Sequence, residues 1–476
     1  MSKLLLAVPH KFTLDALYPP VGLLYLAAAA REAGHDVRVV DGQVAGEEAL
    51  WREFTEGDYD YFGATVLTPL REESYDLFRK AKKIRPDVVT LAGGAHVSIV
   101  PEQTMEHVRE IDVGVIGEGE QTLVELLSGR SLREVDGIIF REGHDLVRTA
   151  QRELLDMAEV PMPAWDLIDF APYRAYEDVV LDGISYGEEP FLTIYTSRGC
   201  TGSCSFCSTW WVWRKWRQTP AVKVVDEIDR LVSLGVRHFF IADDSMISDE
   251  NFVLEFADEI GRRELSIKFK IACRADKLTP TIADALKRSG CYEAHVGFES
   301  GSQKVLDALG KKLKVADNIR AAETLHNAGI RVYALMILGS TGEDVQSLNE
   351  TIDFLNRIRP DAMATMGGLM LLPGTRDYQR AVKEGLLNDD FWLGADPFMY
   401  YTKNFSRPEL ILIGRCVEDR RHLWRRRLLH LQFALYYPAD YAQVMNVGRL
   451  YGRFLRVYSL LPRGLRYLRR KVGGGR

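Results

Sequence analysis

Arg198-Gly199-Cys200-Thr201-Gly202-Ser203-Cys204-Ser205-Phe206-Cys207 sets three cysteines in the spacing C-x3-C-x2-C. Three thiolates on one short loop suit three irons of a [4Fe–4S] cube, one sulfur to each, and leave the fourth iron without a local protein ligand. An open, soft iron in a water-poor pocket is a reactive centre rather than an electron wire. Two blander readings are a zinc site and three unrelated thiols. Zinc sites come as paired C-x2-C units with a fourth Cys or His close by, and the next cysteine here is Cys273. Cys273, Cys291 and Cys416 follow no motif and read as buried, inert thiols. Six cysteines with three in one loop do not make a disulfide framework. They fit a reducing, cytoplasmic setting.

Outward from the loop, the chain alternates strands and helices. Strands are expected at 191–196, 238–242, 267–272, 294–299, 330–338 and 362–371, and helices at 222–234, 249–262, 280–289, 315–328 and 345–357. Six strand–helix units make an open barrel rather than a closed one of eight, with chemistry at the carboxyl ends of the strands. Phe191 opens the strand that delivers the cysteine loop to that end.

The region 1–150 repeats the alternation, with strands expected at 3–8, 37–40, 61–66, 88–92 and 113–116 and helices such as 22–33 and 72–83. That pattern predicts a parallel, doubly wound sheet. Its ligand belongs on the loops beyond the strand ends. Those loops carry Thr68-Pro69, Gly93-Gly94-Ala95-His96 and Gly117-Glu118-Gly119-Glu120. Residues 151–190 read as a connector, broken at Pro161-Met162-Pro163 and anchored by Trp165. The expected organisation is therefore 1–150, 151–190, 191–400 and a basic helical region at 401–476.

With the cysteine loop closing a first barrel strand, and with Phe206 before the third cysteine, the chain resembles the radical S-adenosylmethionine (SAM) enzymes. Asp243-Asp244 ends the second strand. Gly297-Phe298-Glu299-Ser300-Gly301 resembles the family's G-x-E-S-G. Leu338-Gly339-Ser340-Thr341-Gly342-Glu343 resembles its G-x-P-G-E, with Thr341 where proline is usual, and Pro373-Gly374-Thr375 follows the sixth strand. The front region resembles the cobalamin-binding domain fused to many of these enzymes, through Pro20-Val21-Gly22-Leu23-Leu24-Tyr25-Leu26-Ala27, Gly34-His35-Asp36-Val37, Gly93-Gly94-Ala95-His96 and Ile116-Gly117-Glu118-Gly119-Glu120. No D-x-H-x-x-G is present, and His96 is a weak candidate for a lower cobalt ligand.

The resemblance, closest to the class B methyltransferases, implies a Rossmann-like cobalamin-binding-type domain followed by a partial (β/α)6 TIM-like barrel. It implies a [4Fe–4S] cluster on Cys200, Cys204 and Cys207, with SAM on the open iron and cobalamin as a further cofactor. The cluster generates a 5′-deoxyadenosyl radical, and methylation of an unactivated carbon follows; the alternative is a cyclase or ring-rearranging enzyme without net methyl transfer. Glu299 and Ser300 fall where the family meets SAM polar groups. Asp243 or Asp244 would accept from the SAM ammonium, and Arg274 would meet its carboxylate as a fork. Thr68, Gly93, Gly94, Glu118 and Gly119 are the positions expected against cobalamin. No acid/base pair is required, because the cofactors carry the chemistry. A methylthio-transferring enzyme needs cysteines in its front domain, and none precedes Cys200. A binding protein with a degenerate centre conflicts with the intact loop.

Four of the eight tryptophans lie in Trp210-Trp211-Val212-Trp213-Arg214-Lys215-Trp216. They read either as packing between domains or as a lid. From Arg415 onward the chain holds fifteen Lys/Arg against three acids, a net +12, which leaves −18 for the rest of a chain whose total is −6. A basic, aromatic tail on an acidic body reads either as a solvated cap or as an arm that docks on anionic lipid. The docking reading suits a hydrophobic substrate such as a lipid, terpenoid or tetrapyrrole, at the membrane periphery. The acidic body argues against nucleic acid. The family further implies an electron donor such as flavodoxin or ferredoxin.

Overall fold

The computed structural model describes residues 1–10, 17–175, 180–181, 184–185, 187, 189–365, 368–396 and 399–418. Two sheets carry the architecture. The front sheet has seven strands, of which Lys3–Val8, Asp36–Asp41, Tyr61–Thr65, Val89–Gly93 and Val113–Val115 are parallel. Their spatial order runs second, first, third, fourth, fifth. This is a doubly wound order whose direction of winding reverses between the first and third strands, where ligands bind.

Helices cover both faces. Val21–Glu32 and Glu120–Leu127 pack on one face, and Glu47–Glu56 and Arg71–Ile84 on the other. Helix Arg71–Ile84 shows why the segment folds so. Ser74, Tyr75, Leu77, Phe78 and Ala81 fall on one buried face at helical spacing. Glu72 and Glu73 open the helix and Lys82 and Lys83 close it, matching the dipole. Strands Ile138–Glu142 and Asp145–Arg148 add an antiparallel hairpin to the sheet edge, so the sheet is mixed rather than wholly parallel. The turn at Gly143-His144 allows this, with Gly143 at φ +64°.

The second sheet is the barrel: six parallel strands, Phe191–Ile194, His238–Ile241, Lys268–Cys273, Cys291–Glu299, Arg331–Met336 and Ala362–Thr365, paired in chain order. Alternation decides what each strand offers. On Lys268–Cys273, Phe269, Ile271 and Cys273 are buried in the same apolar cluster as the outer helices, whereas Lys268, Lys270 and Ala272 are half-buried. Several barrel helices are capped by side chains at their starts. Thr279 accepts from the Ile282 N–H, and Asp344 and Ser347 close a reciprocal box at the start of Val345–Ile358.

One apolar cluster runs from the front sheet into the barrel through Ala164, Trp165 and Tyr173 of the connector. The Trp165 indole N–H donates to Glu227 on barrel helix Ala221–Ser233 at 2.9 Å, and the Ala164 N–H donates to the Leu24 carbonyl of the front domain at 3.1 Å. After the barrel, the chain returns to the front domain. Buried Arg71 donates to the carbonyls of Trp392 (2.9 Å), Asp396 (2.8 Å) and Gly394, and its guanidinium lies 5.3 Å from the Trp392 ring centre. Among the described residues no helix is long and apolar enough to cross a membrane. Residues 419–476, which hold most of the basic tail, lie outside the described residues.

Candidate active site

The cysteine loop leaves the first barrel strand through a two-stranded ribbon. Ser197 pairs with Gln218 and Arg198 with Arg217, so 199–216 is a loop closed at its base. Gly199 turns the chain at φ +87°, and a Cβ there would lie 2.7 Å from the Lys215 carbonyl oxygen, so only glycine fits. Between the cysteines, Ser205 is gripped three ways. Its N–H donates to the Leu309 carbonyl at 2.8 Å, its hydroxyl donates to the Asp377 carboxylate at 2.5 Å, and its carbonyl accepts from the Asp377 N–H at 3.2 Å. Thr341 donates to the other Asp377 oxygen at 3.3 Å. The threonine that stands in place of the usual proline thus joins the support of the cysteine loop. Phe206 packs into the small apolar cluster of Val305, Leu309, Tyr378 and Trp392.

All three thiols of the loop are half-buried and free. Burial pushes Cys200 and Cys207 up, and the Gly202 N–H and Thr209 hydroxyl respectively draw them back. The Gly202 N–H lies 3.3 Å from Cys200 Sγ, and Arg274 Nη1 lies 3.6 Å from Cys204 Sγ. Among the described residues no three His, Cys, Asp or Glu side chains gather around one point as ligands of a single ion would.

The other barrel-mouth residues fall around this loop. Buried Asp243 accepts from the Thr196 N–H (2.7 Å) and hydroxyl and from the Ser197 hydroxyl (2.7 Å). Burial raises its pKa to about 6, and it serves to fix the exit of the first strand. Asp244 is exposed and accepts from Thr209 at 2.9 Å; burial raises its pKa as well. Tyr195 keeps 38% of its surface open, yet burial, followed by the Asp243 and Asp244 charges, lifts its pKa to about 12. Arg274 forks onto Asp276 at 3.0 and 3.2 Å and donates to the Lys311 carbonyl at 3.1 Å. Glu299 pairs with Lys311 at 2.6 Å, both side chains being nearly enclosed. Burial opposes the Lys311 charge, but Glu299 and the nearby Cys204 outweigh it, so its pKa is raised. Glu299 itself sits at φ +62°, strained for a residue with a side chain. Ser300 is buried against Thr351 at 3.0 Å.

The front domain presents its strand-end loops to this mouth. Thr68 is buried and hydrogen-bonded to His96 Nδ1 at 3.2 Å. His96 is 1% exposed, and burial with the Arg71 charge lowers its pKa to about 3, so the neutral ring is held within the domain. Gly94, at φ +101°, leaves no room for a Cβ against Thr65 and Val66; its neighbour Gly93 is not crowded. Helix Ala95–Ile99 packs on helix Thr209–Trp213 of the cysteine loop. Glu118 is bound by Arg198 at 2.6 Å and by Arg217 at 2.9 Å, and Glu120 pairs with Arg198. Gly119 lies beside Leu26, 3.0 Å from where a Cβ would sit. The large apolar groups left open at these loops are Leu67 (36%), Tyr195, Trp210 (55%) and Trp211 (47%).

Residues 11–127 match the B12 binding domain, and residues 194–355 match the Radical SAM superfamily. An uncharacterised methyltransferase of Pyrococcus horikoshii is 30% identical over 430 residues, 86% of this chain and 90% of that one. The chain belongs to the cobalamin-dependent radical SAM methyltransferase family. A further relative, the anaerobic magnesium-protoporphyrin IX monomethyl ester cyclase of Cereibacter sphaeroides, is 30% identical over 359 residues, 72% of this chain and 57% of the cyclase. The solved structure of the cobalamin-dependent SAM radical enzyme OxsB, with aqua-cobalamin and SAM bound, shares the fold at a TM-score of 0.73 and 19% identity, over 96% of this chain and 75% of that one. The cofactors of this radical SAM enzyme are a [4Fe–4S] cluster, SAM and cobalamin. Enzymes of the family act on small molecules and draw on an electron donor.

The sequence singled out the cysteines, Asp243, Asp244, Arg274 and Glu299, and the structure brings them to one mouth. It passed over Lys311, Asp276, Asp377 and Arg217, which hold those residues in place. No motif marks them: Lys311, Asp377 and Arg217 meet their partners through the fold, and Asp276 pairs with Arg274 only two residues away. In the tryptophan run, half-buried Trp213 packs against Arg198, while Trp210 and Trp211 are exposed.

Proposed function

We propose that this radical SAM enzyme methylates an unactivated carbon of a hydrophobic or natural-product substrate held between the front domain and the barrel mouth. One observation carries the reading: helix Ala95–Ile99 of the front domain packs on helix Thr209–Trp213 of the cysteine loop, whose Trp210 and Trp211 stay open, while Leu67 on a front-domain strand-end loop and Tyr195 at the exit of the first barrel strand are open as well. When bound, cluster and SAM supply a 5′-deoxyadenosyl radical, and cobalamin supplies a methyl group.

The chain's own residues divide the remaining work. Cys200, Cys204 and Cys207 would hold the cluster, with the Gly202 N–H and Arg274 placing positive dipole and charge beside two of the sulfurs. Asp244 is exposed and, among the described residues, accepts only from Thr209, so it would be the better acceptor for the SAM ammonium, since Asp243 is spent on Thr196 and Ser197. Glu299 and Lys311 form an enclosed ion pair after the fourth strand, which would orient the polar groups of SAM. Leu67, at the strand-reversal point, and the backbone at Gly93 would line the corrin side. Tyr195, Trp210 and Trp211 would exclude water from the substrate's reacting carbon.

A second reading, ring closure without methyl transfer, is favoured by the cyclase relative, which also brings tetrapyrroles into the candidate substrates. Anaerobic incubation with SAM labelled in its methyl group, a reductant, hydroxocobalamin and a panel of tetrapyrrole, terpenoid and lipid substrates separates the two. Label in the product supports methylation. 5′-Deoxyadenosine with an unlabelled, altered product supports ring closure, and neither product would refute both readings.

A further inference from the structure

Arg198 and Arg217 stand opposite each other in the ribbon that closes the cysteine loop. Neither belongs to the cluster motif, and both reach into the front domain. Glu118 accepts Arg198 Nη1 at 2.6 Å on one carboxylate oxygen and is forked by Arg217 at 2.9 Å on both. Glu120 takes the remaining fork of Arg198. The guanidinium of Arg198 lies between two rings, 5.3 Å from Tyr25 of helix Val21–Glu32 and 5.4 Å from Trp213 of the cysteine loop. Glu118 also accepts the Leu155 N–H at 2.9 Å, and Arg217 donates to the Leu155 carbonyl at 2.7 Å, tying in the start of the connector.

Two cations and two anions thus sit together almost out of water, the four side chains being 2% to 12% exposed. Burial opposes the Arg198 charge, but Glu120 and Glu118 more than offset it, so its pKa is raised; burial likewise opposes the Glu118 charge, yet Arg217 and Arg198 hold its pKa down. Enclosed ion pairs recover little of their desolvation cost as stability, whereas their fixed forks specify one arrangement.

We propose that Glu118, Arg198, Glu120 and Arg217 are positioning residues: a charge rivet that registers the cluster loop on the cobalamin-type domain and so fixes the separation of the two cofactors. This rests on the cofactor reading above. Loop 117–120 is then the element through which the front domain sets where the cluster stands.

The test uses full-length protein reconstituted with iron, sulfide and hydroxocobalamin, then reduced so that cluster and cobalt are both paramagnetic. Pulsed electron paramagnetic resonance reads their distance distribution. Wild type gives one narrow distribution. Glu118→Gln and Arg198→Lys keep wild-type iron and cobalt contents and lose that single narrow distribution. Arg31→Ala, which removes the exposed Arg31–Asp166 pair between front domain and connector, leaves it unchanged. If either rivet variant fails to fold, Arg217→Lys, which spares Arg198, shows the same broadening at smaller amplitude. A distribution identical to wild type in cofactor-loaded rivet variants overturns the proposal, even if their unfolding midpoints drop, since a merely structural bridge would do only that. Wild-type protein that takes up no cobalt contradicts the cofactor reading instead.

Discussion

Replacing Lys311 with methionine strands the Glu299 carboxylate at the barrel mouth. Lys311 Nζ lies 2.6 Å from Glu299 Oε1, with the side chains 5% and 10% exposed. At an effective dielectric constant near 20, charges at that separation attract by about 6 kcal/mol. Desolvation offsets much of this, and removing one partner of a buried pair costs about 3–5 kcal/mol. Three kcal/mol at the lower end corresponds to roughly a hundredfold shift in the ratio of folded to unfolded protein. The double variant Lys311→Met with Glu299→Gln removes the stranded charge and is expected to recover at least half of the loss. Urea unfolding of anaerobic protein, followed by tryptophan fluorescence and circular dichroism and analysed transition by transition, measures both values. A loss below about 1 kcal/mol for Lys311→Met, the range of exposed pairs, would refute the reasoning, as would a double variant no more stable than the single.

Three further outcomes are expected. Burial raises Glu227 from 4.5 to about 7, while it accepts the Trp165 indole N–H. An acid whose folded pKa is raised contributes stability in full below its unfolded value and loses it as pH climbs through the folded one. Relative to Glu227→Gln, wild type should therefore lose up to about 3 kcal/mol as pH rises from 4.5 to beyond 7, and equal slopes in the two proteins would count against it. Asp377→Ala removes the carboxylate that accepts the Ser205 and Thr341 hydroxyls, so a chelator should strip iron roughly tenfold faster with the initial iron content unchanged; an unaltered rate would show that this carboxylate's grip on Ser205 is idle. Arg71→Met leaves the carbonyls of Trp392, Gly394 and Asp396 without their donor, and cleavage by protease within 389–396 should speed up by roughly a hundredfold, which limited proteolysis with mass spectrometry would detect or deny.

Much of this was legible in the sequence because the signals were local. The alternation of Phe269, Ile271 and Cys273 with Lys268 and Lys270 marks a strand with one face against helices. The cysteine spacing needs no tertiary information. The hairpin at 138–148 escaped because Arg141, Glu142, Asp145 and Arg148 give it the polarity of a loop, which an edge strand tolerates. Asp243 and Asp244 are adjacent and chemically alike; only the fold turns one onto Thr196 and leaves the other open. Glu118 read as a loop residue facing a ligand, yet it meets arginines 80 and 99 positions away, a distance across which no periodicity speaks. Asp377 was silent for the same reason, its partner Ser205 lying on another strand's loop, and Lys311 meets Glu299 only because the chain turns back on itself after the fourth strand.

The central claim is a cube on Cys200, Cys204 and Cys207 facing a cobalamin domain. Iron, acid-labile sulfide and cobalt measured on anaerobically purified protein, wild type beside Cys204→Ala, test it most directly. The account predicts about four iron and four sulfide per chain with about one cobalt in wild type, and loss of the iron and sulfide but retention of cobalt in the variant. Wild-type protein without sulfide-bound iron, or a Cys204→Ala variant that keeps a full cluster, would contradict it.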